Sequence, residues 1–168
     1  MFLIRNIKVS VKVKALVLDN AINRLINKGI KTKVFSNFIT FKTKHYTFVL
    51  FKSGQKKQTH VNITQIPKFS SIAKAITSLR RLLHCKVLSH TVDNIIATSD
   101  LKRTVSLKRL IQEKNFQRTK YNNEIFPGLF IKFWNGTVIV FHTGKIVIVG
   151  CKSKKSIKWI LQKLIAHI

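Results

Sequence analysis

The chain has 168 residues, enough for one domain or for two small halves that share a core. Its 45% hydrophobic content is ordinary for a folded protein and argues against disorder despite the charge. Thirty-two basic residues against five acidic ones give a formal net charge of +27. Self-repulsion on this scale favours a polyanionic ligand, with nucleic acid as the first candidate and an anionic membrane surface as the second.

The first half of the chain predicts a strand, a helix, three strands and a second helix. Residues 5–14 alternate apolar and polar side chains, which is typical of a strand with one face on a core. A helix is expected at 19–28, with Asp19 as its N-cap, Gly29 at its C-terminal end and Ile22, Leu25 and Ile26 on its buried face. Residues 34–43 and 46–52 predict a hairpin, Ser53-Gly54 a turn into a polar strand, and 68–84 a long helix. The apolar stripe of that long helix is Phe69, Ile72, Ile76, Leu79 and Leu83.

The second half predicts the same order. A strand at 92–98 is followed by a helix at 105–113 that carries Leu107, Leu110 and Ile111. Residues 130–134 and 137–141 predict a hairpin with Asn135-Gly136 as its turn, and Thr143-Gly144 turns into a strand at 145–150. A closing helix at 153–167 would bury Ile157, Ile160, Leu161 and Leu164.

Matching positions indicate an internal duplication. Asn6 and Asn94 are 88 residues apart, Phe35 and Phe126 are 91 apart, and Phe51 and Phe141 are 90 apart. We therefore divide the chain into repeats at 1–88 and 89–168. Two α+β halves of this kind would form one broad antiparallel sheet with helices on one face and the other face open to a ligand.

The sequence gives little support to an enzyme, a metal site or a membrane protein. No two of its five carboxylates have the spacing of an acid/base pair, and its histidines form no ligand motif. Cys85 and Cys151 stand far apart, which favours buried thiols over a disulfide or a metal site. Lys or Arg interrupts each apolar run before the roughly 18 residues that a bilayer requires, so no membrane-spanning segment is expected. We predict no cofactor, and nucleic acid rather than a membrane as the partner.

The side chains that remain point to nucleic acid. Asn6 and Asn94 occupy the same place in each repeat, and an amide can donate to acceptors on minor-groove base edges. Phenylalanines recur at the ends of the second and third strands of both repeats, where projecting apolar side chains can be inserted between base steps.

Several segments resemble the TATA-binding protein family. Residues 140–152, VFHTGKIVIVGCK, are similar to the family pattern I-F-x-S-G-K-x-V-x-T-G-A-K, and residues 124–129, EIFPGL, to E-L-F-P-G-L. Residues 93–96, DNII, and 5–7, RNI, stand where the family has Q-N-[IM]-V, and residues 17–19, VLD, where it has K-L-D. The resemblance covers nearly the whole chain and is more specific in the second repeat.

That resemblance implies a saddle: a curved antiparallel sheet of about ten strands with four helices on the convex face, whose concave face binds and bends AT-rich promoter DNA in the minor groove. The implied intercalating pairs are Phe126 with Phe141 and Phe35 with Phe51. The implied minor-groove contacts are Asn6, Asn94, Val49, Ile96, Ile139, Val147 and Val149. The implied phosphate contacts are Lys132, Lys145 and Lys152, and Glu124 would contact a transcription factor B-like protein that works with the RNA polymerase machinery.

Both repeats depart from the family pattern. In the first repeat, Lys8 stands where the family has a floor residue, which is an apolar side chain that faces the bases in the minor groove. In the second repeat, Val149 stands where the family has a threonine. An alignment of residues 53–62 with the family pattern without gaps would direct Lys56 and Gln58 toward the core. A shift of one residue would move every side chain of this strand to the opposite face of the sheet, so the register of residues 55–63 is left open.

The resemblance therefore leaves more than one function. The first hypothesis is a TBP-like initiation factor that acts as a monomer on double-stranded DNA, in the nucleus or in a cytoplasmic viral factory; a homodimer without DNA stays open. The alternatives are a protein-interaction scaffold and a module that binds duplex or RNA–DNA hybrid without sequence preference.

Overall fold

The computed structural model describes residues 1–14, 16–52, 58–116 and 118–168. Within these ranges there are ten strands and four α-helices. The strands are β1 (Phe2–Lys14), β2 (Thr32–Val34), β3 (Phe38–Lys42), β4 (Thr47–Phe51), β5 (Gln58–Ile66), β6 (Val87–Asp100), β7 (Thr119–Asn122), β8 (Phe126–Phe133), β9 (Gly136–Phe141) and β10 (Lys145–Cys151). The helices are α1 (Leu18–Asn27), α2 (Ile72–Leu83), α3 (Leu107–Gln112) and α4 (Lys154–Ile165), and a 3-10 turn at Phe69–Ser71 precedes α2. None of the described helices has the length and hydropathy needed to span a membrane.

The chain forms two compact units. The N-unit is Asn6–Asp93, and the C-unit is Met1–Arg5 with Asn94–Ile168. The strands of the N-unit follow the order β2-β3-β4-β5-β1, and those of the C-unit the order β6-β10-β9-β8-β7. The two orders correspond strand for strand, as an internal duplication predicts, and the strand pairs with an assigned register are antiparallel.

The core of the N-unit begins with the alternation in β1. Ile7, Val9, Val11 and Val13 are fully buried, as the sequence pattern predicts. Complete burial of one such side chain stabilises the fold by about 1.5–3 kcal/mol, so the face of β1 that carries these four residues is the one turned to the core. The side chains between them, from Asn6 to Lys12, therefore lie on the opposite face.

The register of β5 is set by the same core. Thr59, Val61 and Ile63 are buried opposite Val13, Val11 and Val9, whereas Gln58 is exposed. The ungapped alignment is therefore wrong for this strand, because it would bury Gln58 in place of apolar side chains. Residues 53–57, which include the predicted Ser53-Gly54 turn and Lys56, lie outside the described residues.

The predicted helices exist, but some of their details differ. Val17, not Asp19, occupies the N-cap of α1, so Asp19 lies in the first turn, where a carboxylate still favours the positive end of the helix dipole. Ile26 is 60% exposed, because Ala21 and Leu25, one turn apart, define the buried stripe. Gly29 has the positive φ (+68°) expected at the end of α1.

The C-unit packs α4 against β9 and β10, and the four apolar residues predicted for this helix are all buried. Helix α3 begins after Ser106, whose hydroxyl accepts from the Arg109 N–H, and is shorter than predicted, with Ile111 39% exposed. The predicted Asn135-Gly136 turn is wrong, since Gly136 pairs with Phe133 and the turn is Trp134-Asn135. A Cβ on Gly136 would lie 2.8 Å from Cys151 Sγ, so close packing explains this glycine.

Both cysteines are free thiols. Cys151 is buried as predicted, whereas Cys85 is only half-buried. Burial raises the pKa of each thiol, which makes neither a ready nucleophile at neutral pH.

Candidate nucleic-acid interface

Each unit has a sheet face opposite its buried residues, which we call its open face. The open face of the C-unit carries alternate residues of β6, β10, β9 and β8: Asn94, Ile96, Thr98, Lys145, Val147, Val149, Thr137, Ile139, Phe141, Gly128, Phe130 and Lys132. The open face of the N-unit carries Asn6, Lys8, Ser10, Lys12, His60, Asn62, Thr64, Thr47, Val49, Phe51, Phe38 and Thr40. Every residue predicted to contact the minor groove lies on one of these two faces.

The predicted phenylalanine pair of the C-unit lies together. Phe126 begins β8 and Phe141 ends β9, and their ring centroids are 5.7 Å apart. Gly128 pairs with Phe141, and a Cβ on Gly128 would lie 2.6 Å from the Phe126 ring. The glycine therefore provides the space in which the Phe126 ring lies across the strand, with Phe130 at 5.3 Å on its other side.

The predicted pair of the N-unit is joined through a third ring. Phe35 stacks on Phe38 at 4.5 Å, and Phe38 lies 6.1 Å from Phe51, its partner across the β3–β4 pair. Phe35 remains 44% exposed. The sequence pattern did not single out Phe38, although its place directly across from Phe51 matches that of Gly128 across from Phe141.

The two asparagines make the same contact in the two units. Asn6 Oδ1 accepts from the Gln65 backbone N–H at 2.8 Å, and Asn94 Oδ1 accepts from the Gly150 N–H at 2.7 Å. Gln65 and Gly150 both have positive φ, +66° and +83°, and both lie where the strand register shifts. Because the oxygen is held by the bulge, the Nδ2 donors of each amide are directed away from it. No sequence pattern indicated this fixed orientation.

The apolar floor residues cluster in the C-unit. Val147 pairs with Ile139 on one side and with Thr98 on the other, and Val149 lies two residues further along β10. Ile96 occupies the same face of β6. Val49, the predicted floor residue of the N-unit, has instead the polar partners Thr40 and Asn62 across its two strand pairs.

The predicted phosphate contacts are exposed. Lys132 lies on the open face of β8 and Lys145 at the start of β10, while Lys152 directly follows that strand. Glu124 is exposed in the connection between β7 and β8, outside the open face. The structure thus gathers the apolar, amide and basic side chains on or beside the open faces and places the one predicted protein-contact residue in a loop.

Neither a metal site nor a disulfide is present among the described residues. No group of three or more His, Cys, Asp or Glu side chains there could hold a metal ion. The open faces carry hydrogen-bond donors, apolar carbons and cations, which suits the binding of a polyanion with hydrogen-bond acceptors.

Comparison with known proteins defines the class. The solved structure of Methanococcus jannaschii TBP superposes with a TM-score of 0.81 and 23% identity, over 99% of this chain and 97% of that one. The fold is therefore that of the TATA-binding protein, a ten-stranded antiparallel sheet with four helices. The fold class expected from the sequence is confirmed.

Sequence comparison gives the family. The family model described as "Transcription factor TFIID (or TATA-binding protein, TBP)" matches residues 89–168. TATA-box-binding protein-like 1 of Entamoeba histolytica is 30% identical over 159 residues, 92% of this chain and 73% of the relative. TATA-box-binding protein 3 of Methanosarcina acetivorans is 32% identical over 117 residues, 64% of this chain and 60% of the relative's length. The chain belongs to the TATA-binding protein family, as the sequence resemblance indicated.

Proposed function

We propose that the protein is a TBP-like transcription initiation factor that binds AT-rich promoter DNA in the minor groove and bends it. The observation that carries this proposal is the fixed orientation of Asn6 and Asn94. In both units the amide oxygen is occupied by a bulge N–H, so Nδ2 is the atom available to a ligand on the open face. An A·T base pair offers acceptors alone in the minor groove, N3 of adenine and O2 of thymine, which is what such donors require.

The floor of the C-unit supports a preference for A·T. Ile139, Val147 and Val149 present carbon atoms on the same face as the amide and the phenylalanines. A guanine placed there would bury its N2 amino group against these carbons without an acceptor, and an unsatisfied buried donor costs about 1–3 kcal/mol. The same carbons lose nothing against adenine, which has no group at that position.

The phenylalanine clusters supply the bending. Phe126 lies over Gly128 and contacts Phe141, so the ring is supported from below and from one side and can enter a base step with little loss of side-chain freedom. Apolar wedges of this kind unstack a step and kink the duplex, which is the binding mode established for the family. Phe35, Phe38 and Phe51 would act in the same way in the N-unit.

The basic residues supply the affinity that does not depend on sequence. Lys132, Lys145 and Lys152 are exposed on or beside the C-unit open face, within a chain of formal charge +27. Each phosphate contact releases condensed counterions, so binding should weaken as salt rises. A preference between duplexes that persists at high salt therefore reports on base edges and not on charge.

The test is binding to three duplexes of one length. Inosine·cytosine pairs have the major groove of G·C but lack the N2 amino group, so their minor groove resembles that of A·T. We expect the A·T and I·C duplexes to bind alike and the G·C duplex to bind at least about tenfold more weakly. Equal binding to all three, and to an RNA–DNA hybrid, would refute base reading and leave a sequence-independent module; binding to none would leave the interaction scaffold.

We also propose that Glu124 contacts a transcription factor B-like protein that brings the RNA polymerase machinery, in the nucleus or a viral factory. The support is its exposure in the loop before β8 together with the family resemblance of residues 124–129. Glu124→Arg should abolish the ternary complex with promoter DNA while leaving the binary complex intact, as read by native gel shift. A ternary complex formed equally well by the variant would remove Glu124 from this contact.

A further inference from the structure

In each unit, strand pairing aligns one residue from each of the five strands into a row across the sheet, and the two rows differ in chemistry. In the C-unit, strand pairing aligns Lys120, Phe130, Ile139, Val147 and Thr98, and Arg5 Nε donates to Thr98 Oγ1 at 2.9 Å. In the N-unit, strand pairing aligns Lys33, Thr40, Val49, Asn62 and Ser10, and the Ser10 hydroxyl contacts Asp93 Oδ2. Members of the two rows correspond one to one along the strand order. The C-unit row is mainly apolar and ends on a cation, whereas the N-unit row is polar and ends on a carboxylate.

The polar end of the N-unit row is a connected network. Ser10 Oγ lies 2.8 Å from Asn62 Oδ1 and also contacts Asp93 Oδ2. Asn62 Oδ1 and Asp93 Oδ2 are both acceptors for the single Ser10 hydroxyl proton, and the carboxylate is the stronger of the two. Because Asn62 Oδ1 is turned toward Ser10, the Nδ2 donors of Asn62 are directed away from it.

Lys8 completes this network. Its Nζ lies 3.8 Å from Asp93 Oδ2, and the two side chains are 38% and 33% exposed. The ammonium offsets the carboxylate charge that would otherwise repel phosphate, while the partial exposure leaves each group accessible to a ligand on the open face. Lys8 and Asp93 thus present a donor next to an acceptor, and Lys8 does so at a position where the family pattern has an apolar residue.

We propose that this network, Lys8, Ser10, Asn62 and Asp93, is a subsite for a G·C base pair in the minor groove. G·C differs from A·T there by one donor, the guanine N2 amino group, flanked by acceptors. Asp93 accepts from the N2 amino group, and Lys8 donates to a flanking acceptor. The inference rests on the proposed minor-groove function. It predicts that the two halves of the DNA target differ: the C-unit accepts only A·T base pairs, whereas the N-unit also accepts G·C.

A free-phosphate or backbone contact fits the network less well. A phosphate offers acceptors alone, so it would set its oxygens against those of Asp93, which contacts the open-face residues Ser10 and Lys8. An A·T edge also fits poorly, because it would set its acceptors against the Asp93 oxygens. Ser10 and Lys8 contact Asp93 Oδ2, and the Thr91 hydroxyl donates to Oδ1 at 3.3 Å. Since each carboxylate oxygen can accept about two hydrogen bonds, Oδ1 retains capacity for one more donor, and the G·C edge is the duplex surface that supplies it.

The experiment adds the amino group alone to a self-complementary A·T site. Replacing adenine by 2,6-diaminopurine puts an N2 amino group in the minor groove and keeps thymine as the pairing partner. The duplex is prepared with no replacement, with one in one half, and with one in each half. Because the unmodified site is symmetric, the protein can bind the singly modified duplex in whichever orientation it prefers, so the result does not depend on which half carries the amino group.

The proposal predicts unequal steps. The first amino group should change the dissociation constant by less than about threefold, and the second, which must lie under the C-unit, should raise it at least about tenfold. In Asp93→Leu the first group should cost about tenfold as well, whereas the matched Asp100→Leu variant should behave as wild type; thermal melting confirms that both are folded. Asp93→Asn, which retains an acceptor oxygen and removes the charge, should retain tolerance of the first group.

Each result has one meaning. Equal penalties for the two amino groups in the wild type, with tight binding of the unmodified site, would overturn the G·C subsite and leave the minor-groove function standing. Unchanged affinity for all three duplexes would overturn the subsite too, since neither unit would then read the amino group. Failure to prefer the unmodified A·T site over a G·C duplex would instead refute the proposed function itself.

Discussion

Asn94→Asp separates the structural role of this residue from its proposed role in DNA binding. Aspartate has the same shape, so Oδ1 can still accept the Gly150 N–H, which lies 2.7 Å away in the wild type. The negative charge strengthens this bond, so the bulge and the melting temperature should be retained. The two Nδ2 donors are replaced by an acceptor oxygen that faces the acceptors of the A·T edge.

The magnitude follows from the groups lost. Two hydrogen bonds at about 0.5–1.5 kcal/mol each give about 1–3 kcal/mol, a weakening of about 5- to 150-fold. Repulsion between the new carboxylate and the base acceptors adds to this figure. The assay is fluorescence anisotropy on an A·T duplex at fixed salt, because affinity depends steeply on salt.

A matched variant controls for charge. Asn20→Asp makes the same change in the exposed part of α1, away from the open faces, and should weaken binding less than about threefold through charge alone. If Asn94→Asp and Asn20→Asp weaken binding equally, the amide donors do not read the bases. If Asn94→Asp lowers the melting temperature strongly, the bulge bond is not retained and the reasoning from isosteric replacement is wrong.

Three further changes test the wedge and the core. Phe126→Ala with Phe141→Ala should abolish bending measured by end-to-end FRET, whereas Trp134→Ala, which truncates an 84% exposed ring, should leave the bend intact. Gly128→Ala should weaken binding and reduce the bend, because its Cβ would lie 2.6 Å from the Phe126 ring and displace it; an unchanged bend would show that the ring position is not needed. Ile63→Ala should lower the unfolding free energy by about 2–5 kcal/mol, since Ile63 is fully buried opposite Val9, and a loss under about 1 kcal/mol in chemical denaturation would contradict the β5 register.

Elements with a strong local pattern were predictable from the sequence. The period-two alternation of β1 and the apolar stripe of α4 each identify the side chains that folding must bury, and the structure buries those residues. The register of β5 was not predictable, because its segment mixes polar and apolar residues. The ungapped alignment with the family would turn Gln58 to the core, whereas pairing with β1 buries Thr59, Val61 and Ile63.

The site was predictable in its residue types but not in its connections. Asn6 and Asn94 are visible in the sequence as repeat mates, yet the bond that orients each one comes from a bulge more than 50 residues away. Phe38 could not be singled out, because its partner, Phe51, is defined only by strand register. The Ser10–Asp93 contact joins residues 83 apart in sequence, so no local pattern could have indicated it.

The central claim, that the open faces bind and bend AT-rich DNA through the minor groove, is tested most directly by one titration. Matched AT-rich and GC-rich duplexes with a FRET pair at their ends are titrated with the protein across a salt series. The expected result is a bend on the AT-rich duplex and an AT preference that persists as both affinities fall with salt. Affinity that is equal for the two duplexes, lost with salt and unaccompanied by a change in end-to-end distance would contradict the claim.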